Sequence, residues 1–203
     1  MVQKIKELEK RIKILKKENE ILKKTSERDF LTGLYNRMGF SNRAEEIMEE
    51  YKKESQNNKF KFNRNKIVRN LSIIFSDFDG LKKINDTHGH KAGDKAIKAF
   101  GNFLKNNVRP IDYVCRWGGD EFAIALINAD CNQAKLKIAS ILKNMKNLSI
   151  IFGGKKINLK ASFGSASIED NCSKKGEILS NISFENLMKL ADKRMYAHKK
   201  SSR

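Results

Sequence analysis

The sequence has few cysteines and no long apolar run, and both shortages narrow its class. Cys115, Cys131 and Cys172 are odd in number, widely separated and outside any CxxC pair. That pattern argues against a disulfide framework and against a zinc ribbon, so a reducing cytoplasm is the expected setting. No stretch approaches the roughly 20 apolar residues that a membrane helix needs. The start, MVQKIKELEK, also lacks the apolar core of a secretory signal, so neither a membrane span nor export is expected. Internal repeats, a helix-turn-helix signal and an aromatic stacking motif are missing too, which argues against a nucleic-acid partner.

What is present is a chain of 203 residues, read as one ordinary domain plus an appendage. Lysine and arginine number 42 against 24 aspartates and glutamates, a formal charge of +18. Such a balance suits an anionic partner but does not by itself choose among nucleotide, nucleic acid and membrane. Apolar residues make up 39%, enough for a real core.

Residues 1–27 read by heptads. Ile5, Ile12 and Asn19 fall at a, and Leu8, Leu15 and Leu22 at d. Isoleucine at a with leucine at d predicts a parallel two-stranded coiled coil, with Asn19 setting register and oligomer state. The expected partner is a second copy, held as a homodimer through this coil. A lone helix packed on its own domain, or a basic helix on anionic lipid, would show the same apolar stripe.

From residue 28 onward the pattern predicts a turn at Arg28–Arg37, a helix over about Met38–Glu54 and a polar loop at Ser55–Asn65. A buried strand follows in LSIIFSDFDG, then a polar turn, LKKINDTHGHKAGD, and a helix over about Lys91–Asn107. DYVCRW and EFAIALI predict a hairpin around Gly118 and Gly119. A helix over about Asn132–Lys146, a strand pair within Leu148–Ile168 and a last helix from Phe184 to about Lys199 complete an α+β layout. Tyr113, Cys115 and Trp117 alternate along one strand and are expected on one buried face.

Two acidic clusters sit in short loops: Asp77 and Asp79 at a strand end, and Asp120 and Glu121 in the hairpin turn. Facing each other, they could hold hard cations and suit nucleotidyl transfer, because magnesium takes a few carboxylate oxygens and completes its shell with water and substrate phosphate. The plainer alternative is solvated turn residues beside glycine. His88 and His90, flanking Gly89, are too few for a zinc site.

Four strings occur in order: DFLTGLYNR at Asp29–Arg37, DFDGLKKINDTHGHKAGD at Asp77–Asp94, RWGGDEF at Arg116–Phe122 and ADKRMYAHKKSSR at Ala191–Arg203. Together they resemble the GGDEF family, the diguanylate cyclases that join two GTP into cyclic di-GMP. The resemblance covers about residues 28–203 and leaves the coil outside. It implies a palm-like fold, with a central, mainly antiparallel five-stranded sheet flanked by helices.

It also implies roles by position. Asp77, the carbonyl of Phe78, and Asp120 would bind Mg²⁺ or Mn²⁺. Glu121 would serve the second metal or help to remove the 3′-hydroxyl proton; the two roles stay open. Gly118 and Gly119 would let the backbone approach the nucleotide. Asn85 and Asp94 would read guanine, whose N1 and N2 donors suit a carboxylate. Lys82, Lys199 and Arg203 would grip the triphosphate. Arg109 and Asp112 match the family's RxxD site for its own product, although the further arginine expected in a later helix falls near Ser140 or Ile141.

The implied reaction is 2 GTP to cyclic di-GMP and two pyrophosphates, each domain presenting its 3′-hydroxyl to the partner's α-phosphate. Activating input would come from an upstream sensory partner, from a region absent here, or from concentration alone. A catalytically silent domain that binds GTP or cyclic di-GMP as a receptor is the alternative, and a purely structural dimerisation protein is the weaker one.

Overall fold

A computed structural model describes residues 4–7, 10–15, 18, 26–56, 70–168 and 183–201. Leu8, Asn19 and Leu22 of the heptad series, most of the predicted polar loop, Cys172 and Arg203 lie outside the described residues. The first helix, α1, is helical at 4–7, 10–15 and 18, and exposes Ile5, Ile12 and Leu15.

The remaining elements are α2 (Arg37–Gln56), β1 (Leu71–Asp79), α3 (Leu81–His88), α4 (His90–Asn106), β2 (Tyr113–Arg116), β3 (Glu121–Ile127), α5 (Cys131–Met145), β4 (Ser149–Phe152), β5 (Lys155–Asn158), β6 (Lys160–Ser167) and α6 (Phe184–Ser201). Four strands form the central sheet in the order β2-β3-β1-β6, and every pairing in it is antiparallel.

The sheet is covered on both faces, and the pleat decides which residue goes where. Side chains two apart on a strand share a face. Thus Ile74 and Phe78 of β1 join Phe122, Ile124 and Leu126 of β3 in a core with Phe100 and Leu104 of α4 and Ile141 of α5. The alternate set, Ile73 and Phe75 with Ala123 and Ala125, packs with Phe40 of α2 and Leu187 and Met195 of α6. Burial on both faces explains the nearly unbroken apolar runs in β1 and β3. Cys115 lies fully buried in the second core beside Tyr113 and Trp117, as the alternation predicts. Burial, with Asp29 adding to it, pushes its thiol far up.

Three expectations need correction. The central sheet has four strands, and β4 and β5 pair only with each other. Their turn carries Gly153 and Gly154 at φ of 55° and 75°, the left-handed pair that closes a tight hairpin. Leaving this ribbon at Leu159, the chain starts β6 at Lys160.

Second, LKKINDTH is helical. Only Ile84 of α3 is buried, so the segment's polar composition masked a one-sided helix. Gly89, at φ 80°, breaks it from α4. Third, Cys131 is disulfide-bonded, because cysteine count and spacing do not report which side chains the fold brings within bonding reach. Among the described residues no helix is long and apolar enough to cross a membrane.

Candidate functional site

The carboxylates gather because of strand register. Asp77 of β1 lies directly opposite Glu121 of β3, with Ser162 of β6 opposite Asp77 on its other side. Directly paired residues and their i+2 neighbours share a face. Asp77, Asp79, Glu121 and Ser162 therefore all point to the α6 face. A backbone hydrogen bond from the Phe78 N–H to the Asp120 carbonyl, at 2.8 Å, seats the hairpin turn on the end of β1.

The turn is held from three sides. Trp117 N–H donates to the Glu121 carbonyl at 2.8 Å. Arg116 donates to the Gly119 carbonyl at 2.9 Å and pairs with half-buried Asp29 at 3.3 Å. Asp29 in turn accepts from the Thr32 N–H and hydroxyl at 2.8 and 2.7 Å, so DFLTG acts as a brace for RWGGDEF. A Cβ at Gly118 would stand 2.9 Å from Glu121 Oε2, the movable tip of a side chain, and one at Gly119 would meet nothing within 4 Å.

From the other side α6 delivers Lys199, whose Nζ contacts Asp77 Oδ1 at 2.5 Å and Asp79 Oδ1 at 3.7 Å. Asp79 also accepts from the Ser162 hydroxyl at 3.2 Å. Helix and sheet lie this close because β6 has Gly164, where a Cβ would fall 2.1 Å from Met195 N and 2.3 Å from the Ala191 carbonyl.

Between them is a cleft of about 360 Å³ lined by Asp77, Glu121, Asp192, Tyr196, Lys199 and Lys200, with Met195 at its floor. The Glu121 carboxyl is held above its usual range, first by burial and then by Asp120, Asp192 and Asp77, while Arg37 acts in the opposite direction. Asp77, Asp120 and Asp192 thus share one region with Glu121, and Lys199 sits on Asp77 and Asp79.

Among the described residues no three His, Cys, Asp or Glu side chains converge to cage an ion unaided. The donor set fits a cation that takes one or two carboxylates and completes its shell with water and phosphate. The ammonium of Lys199 on Asp77 shows that this carboxylate accepts a positive partner.

The nucleotide-side candidates lie on α3 and α4. Asn85 is half-buried, and its Oδ1 is buried without a hydrogen-bond partner. That oxygen lies 1.9 Å from where a Cβ of Gly93 would stand, which sets Asn85 against the residue preceding exposed Asp94. Lys82 is exposed on α3. These residues lie at the corner where α3 follows directly on the Asp79 end of β1 and packs on α4.

The RxxD segment is a closed clasp. Arg109 donates to both carboxylate oxygens of Asp112 at 3.0 and 2.8 Å, and to the Ile127 carbonyl at 2.6 Å. Asp112 also accepts from the Arg109 and Ile127 N–H groups at 3.0 and 3.1 Å.

Asp192, Met195, Tyr196 and Lys200 line the cleft and Arg37 acts on Glu121, although no motif in the sequence singled them out. Asp192 lies seven residues before Lys199, two helical turns that return to the same face, so accepting Lys199 as a candidate would have drawn attention to it. Arg37 stacks on Trp117 with its guanidinium 4.7 Å from the indole centre; no spacing rule links positions 80 residues apart.

Comparison with known proteins agrees with this geometry. The family profile for "Diguanylate cyclase, GGDEF domain" matches residues 26–203. Diguanylate cyclase A of Treponema denticola is 34% identical over 133 residues, covering 66% of this chain and 33% of that protein. Diguanylate cyclase DosC of Escherichia coli K12 is 32% identical over 134 residues, 66% of this chain and 27% of that protein. The chain thus spans about a third or less of the length of these two relatives.

Among solved structures, the coiled coil and GGDEF domain of DgcB from Caulobacter crescentus, in complex with c-di-GMP, matches with a TM-score of 0.74 at 21% identity, covering 98% of this chain and 94% of that one. The GGDEF domain of TpbB (YfiN) from Pseudomonas aeruginosa matches with a TM-score of 0.68 at 26% identity, covering 87% and 90%. With a profile match over residues 26–203 and relatives above 30% identity over about two thirds of its length, this chain belongs to the GGDEF family.

Proposed function

We propose that the chain is a diguanylate cyclase, condensing two GTP into cyclic di-GMP and two pyrophosphates as a dimer. The observation that carries the reading is the pairing of Asp77 with Glu121 across β1 and β3, on the face where α6 presents Lys199. Asp77, with Asp120 from the turn and the Phe78 carbonyl, would hold Mg²⁺ or Mn²⁺, which supplies charge neutralisation at the transferring phosphoryl group. Lys199, which pairs with Asp77, would grip the triphosphate, with Lys82 and Arg203 as further cations.

Asn85 and Asp94 would read guanine. The orphaned Asn85 oxygen supports this, because a buried acceptor without a partner is a place for a ligand's donor. Glu121, whose carboxyl is raised above its usual range first by burial and then by its acidic neighbours, would take the 3′-hydroxyl proton in its ionised form or serve a second metal.

Each domain supplies one GTP, so two must meet. The half-exposed Ile5, Ile12 and Leu15 of α1, at 50%, 51% and 49% exposure, support a seam that a second copy covers. A tether of this kind raises the effective concentration of the second domain. Product binding at Arg109 would have to compete with Asp112 for two of its donors. The two relatives described above are diguanylate cyclases, which favours activity over a silent receptor.

The experiment is incubation with GTP and Mg²⁺, with ATP as control, reading products by chromatography and mass. Cyclic di-GMP from GTP alone is expected; GTP binding with no product would replace the cyclase by the receptor. Removing residues 1–27 should lower specific activity roughly tenfold at the lowest protein concentrations and little at high ones. Equal specific activity at all concentrations would show that the coil plays no part.

A further inference from the structure

We propose that the cleft between α3 and the β4–β5 ribbon is a second ligand site, for a small phosphorylated molecule with a flat apolar body. The cleft measures about 420 Å³, within the range of small-molecule sites. Lys83 and Thr87 line it from α3, and Ile157, Asn158 and Lys160 line it from the ribbon and the start of β6, with Ile84 below. Lys83 and Thr87, four apart, share one helical face. Asn85 lies on the opposite face, against Gly93. The cleft is therefore separate from the corner assigned to guanine.

Its charge selects the ligand class. Among the described residues neither Lys83 nor Lys160 has an ion-pair partner. The one acid in the lining, Asp79, is already engaged by Ser162 at 3.2 Å and Lys199 at 3.7 Å. Two free ammonium groups across a cleft are a phosphate grip. Ile84, at 7% exposure, and half-buried Ile157 offer an apolar surface for a ring, while Thr87 and Asn158 add hydrogen-bonding groups at its edge. Occupancy would reach the acids through Asp79, which belongs to both places.

This inference stands independently of the cyclase reading. The test is calorimetric titration of the full chain with GMP as probe, in an Asp94→Ala background that removes the guanine-reading carboxylate. One GMP site is expected to remain, weakened about tenfold or more by Lys83→Gln and by Lys160→Gln, and guanosine, lacking the phosphate, should not bind measurably. No residual GMP binding, residual binding indifferent to both lysine variants, or guanosine binding as well as GMP would each overturn the proposal. Both lysines are exposed, so the variants should fold, and circular dichroism checks that they do. Absence of cyclic di-GMP synthesis from GTP would defeat the cyclase reading and leave this result standing.

Discussion

At one end of β3, Asp112 is gripped by Arg109 and the Ile127 N–H; at the other, Asp77 opposite Glu121 is held by Lys199. Both are acids paired with a cation, yet they are built for different ends. The Asp112 side chain is 0% exposed, and the hydrogen bonds from Arg109 and Ile127 use the acceptor capacity of both its oxygens. Asp77 and Lys199 are 16% and 22% exposed on a cleft and share a single close contact. A saturated, sealed carboxylate would have to give up partners to meet a ligand. One held by a single lysine on a cleft has only that contact to exchange, which is what the proposed metal site requires. The comparison gives a criterion for separating structural from functional acids: count the donors and ask whether solvent reaches them.

The largest expected effect lies at the open end. Asp120→Ala should lower cyclic di-GMP synthesis at least about 100-fold if its carboxylate holds the metal as proposed, while the unfolding temperature moves by no more than about 2 °C. A large loss of stability in that variant would erase the contrast between the two ends. The mirror experiment is Asp112→Ala at the sealed end. Leaving the Ile127 N–H and the guanidinium without their acceptor should cost about 3 kcal/mol, or roughly 6–12 °C in a chain of this size. Synthesis per folded molecule should stay near that of the parent. An unfolding curve superposable on the parent's would show that the clasp is ornamental.

Somewhat smaller is the effect of Gly164→Ala, since its Cβ would meet α6 backbone at 2.1 and 2.3 Å. Overpacking of backbone on backbone should cost about 2 kcal/mol and shift α6 outward. That displacement would part Lys199 from Asp77, so the variant should lose GTP turnover beyond its loss of folded protein. Normal turnover in the folded fraction would mean that the position of α6 does not matter to the open end.

The smallest effect concerns pH. The Glu121 carboxyl has a folded-state value raised above the unfolded one, so folding favours its protonated form. Its contribution to stability therefore falls as pH rises from the unfolded value through the folded value, and stays lower above. Glu121→Gln removes that loss. In the absence of divalent cations it should stabilise the protein slightly at neutral pH and not at all in acid. Equal stabilisation at both pH values would point to packing instead of charge.

Much of this was legible from residues alone, for reasons that differ by element. The hairpin of DYVCRW and EFAIALI combines alternation with a glycine turn, and it pairs as expected. The helix α4 carries buried residues at Ala92, Ala96, Ile97, Phe100 and Leu104, the spacing that a one-sided helix writes into sequence. LKKINDTH offered only Ile84 to the core, too weak a stripe to show against its polar residues. The pair β4–β5, with Ile150 its only buried residue, gave no hint whether it would join the main sheet. RxxD appeared as a string with two readings, and only its hydrogen bonds show how fully Asp112 is spent.

The amino-acid order by itself determined which residues alternate into the cores, where glycines force turns, and which acids stand at strand ends, because all of these follow from spacings along the chain. The tertiary structure decided the rest. It brought Asp192 and Lys199 of α6 to Asp77 and Glu121, sealed Asp112, left Lys83 and Lys160 facing across an open cleft, and held α6 against Gly164. Periodicity reports that a face is covered, whereas the identity of the covering element depends on contacts between separate elements, from Gly164 with Met195 to Asp77 with Lys199, 122 positions apart.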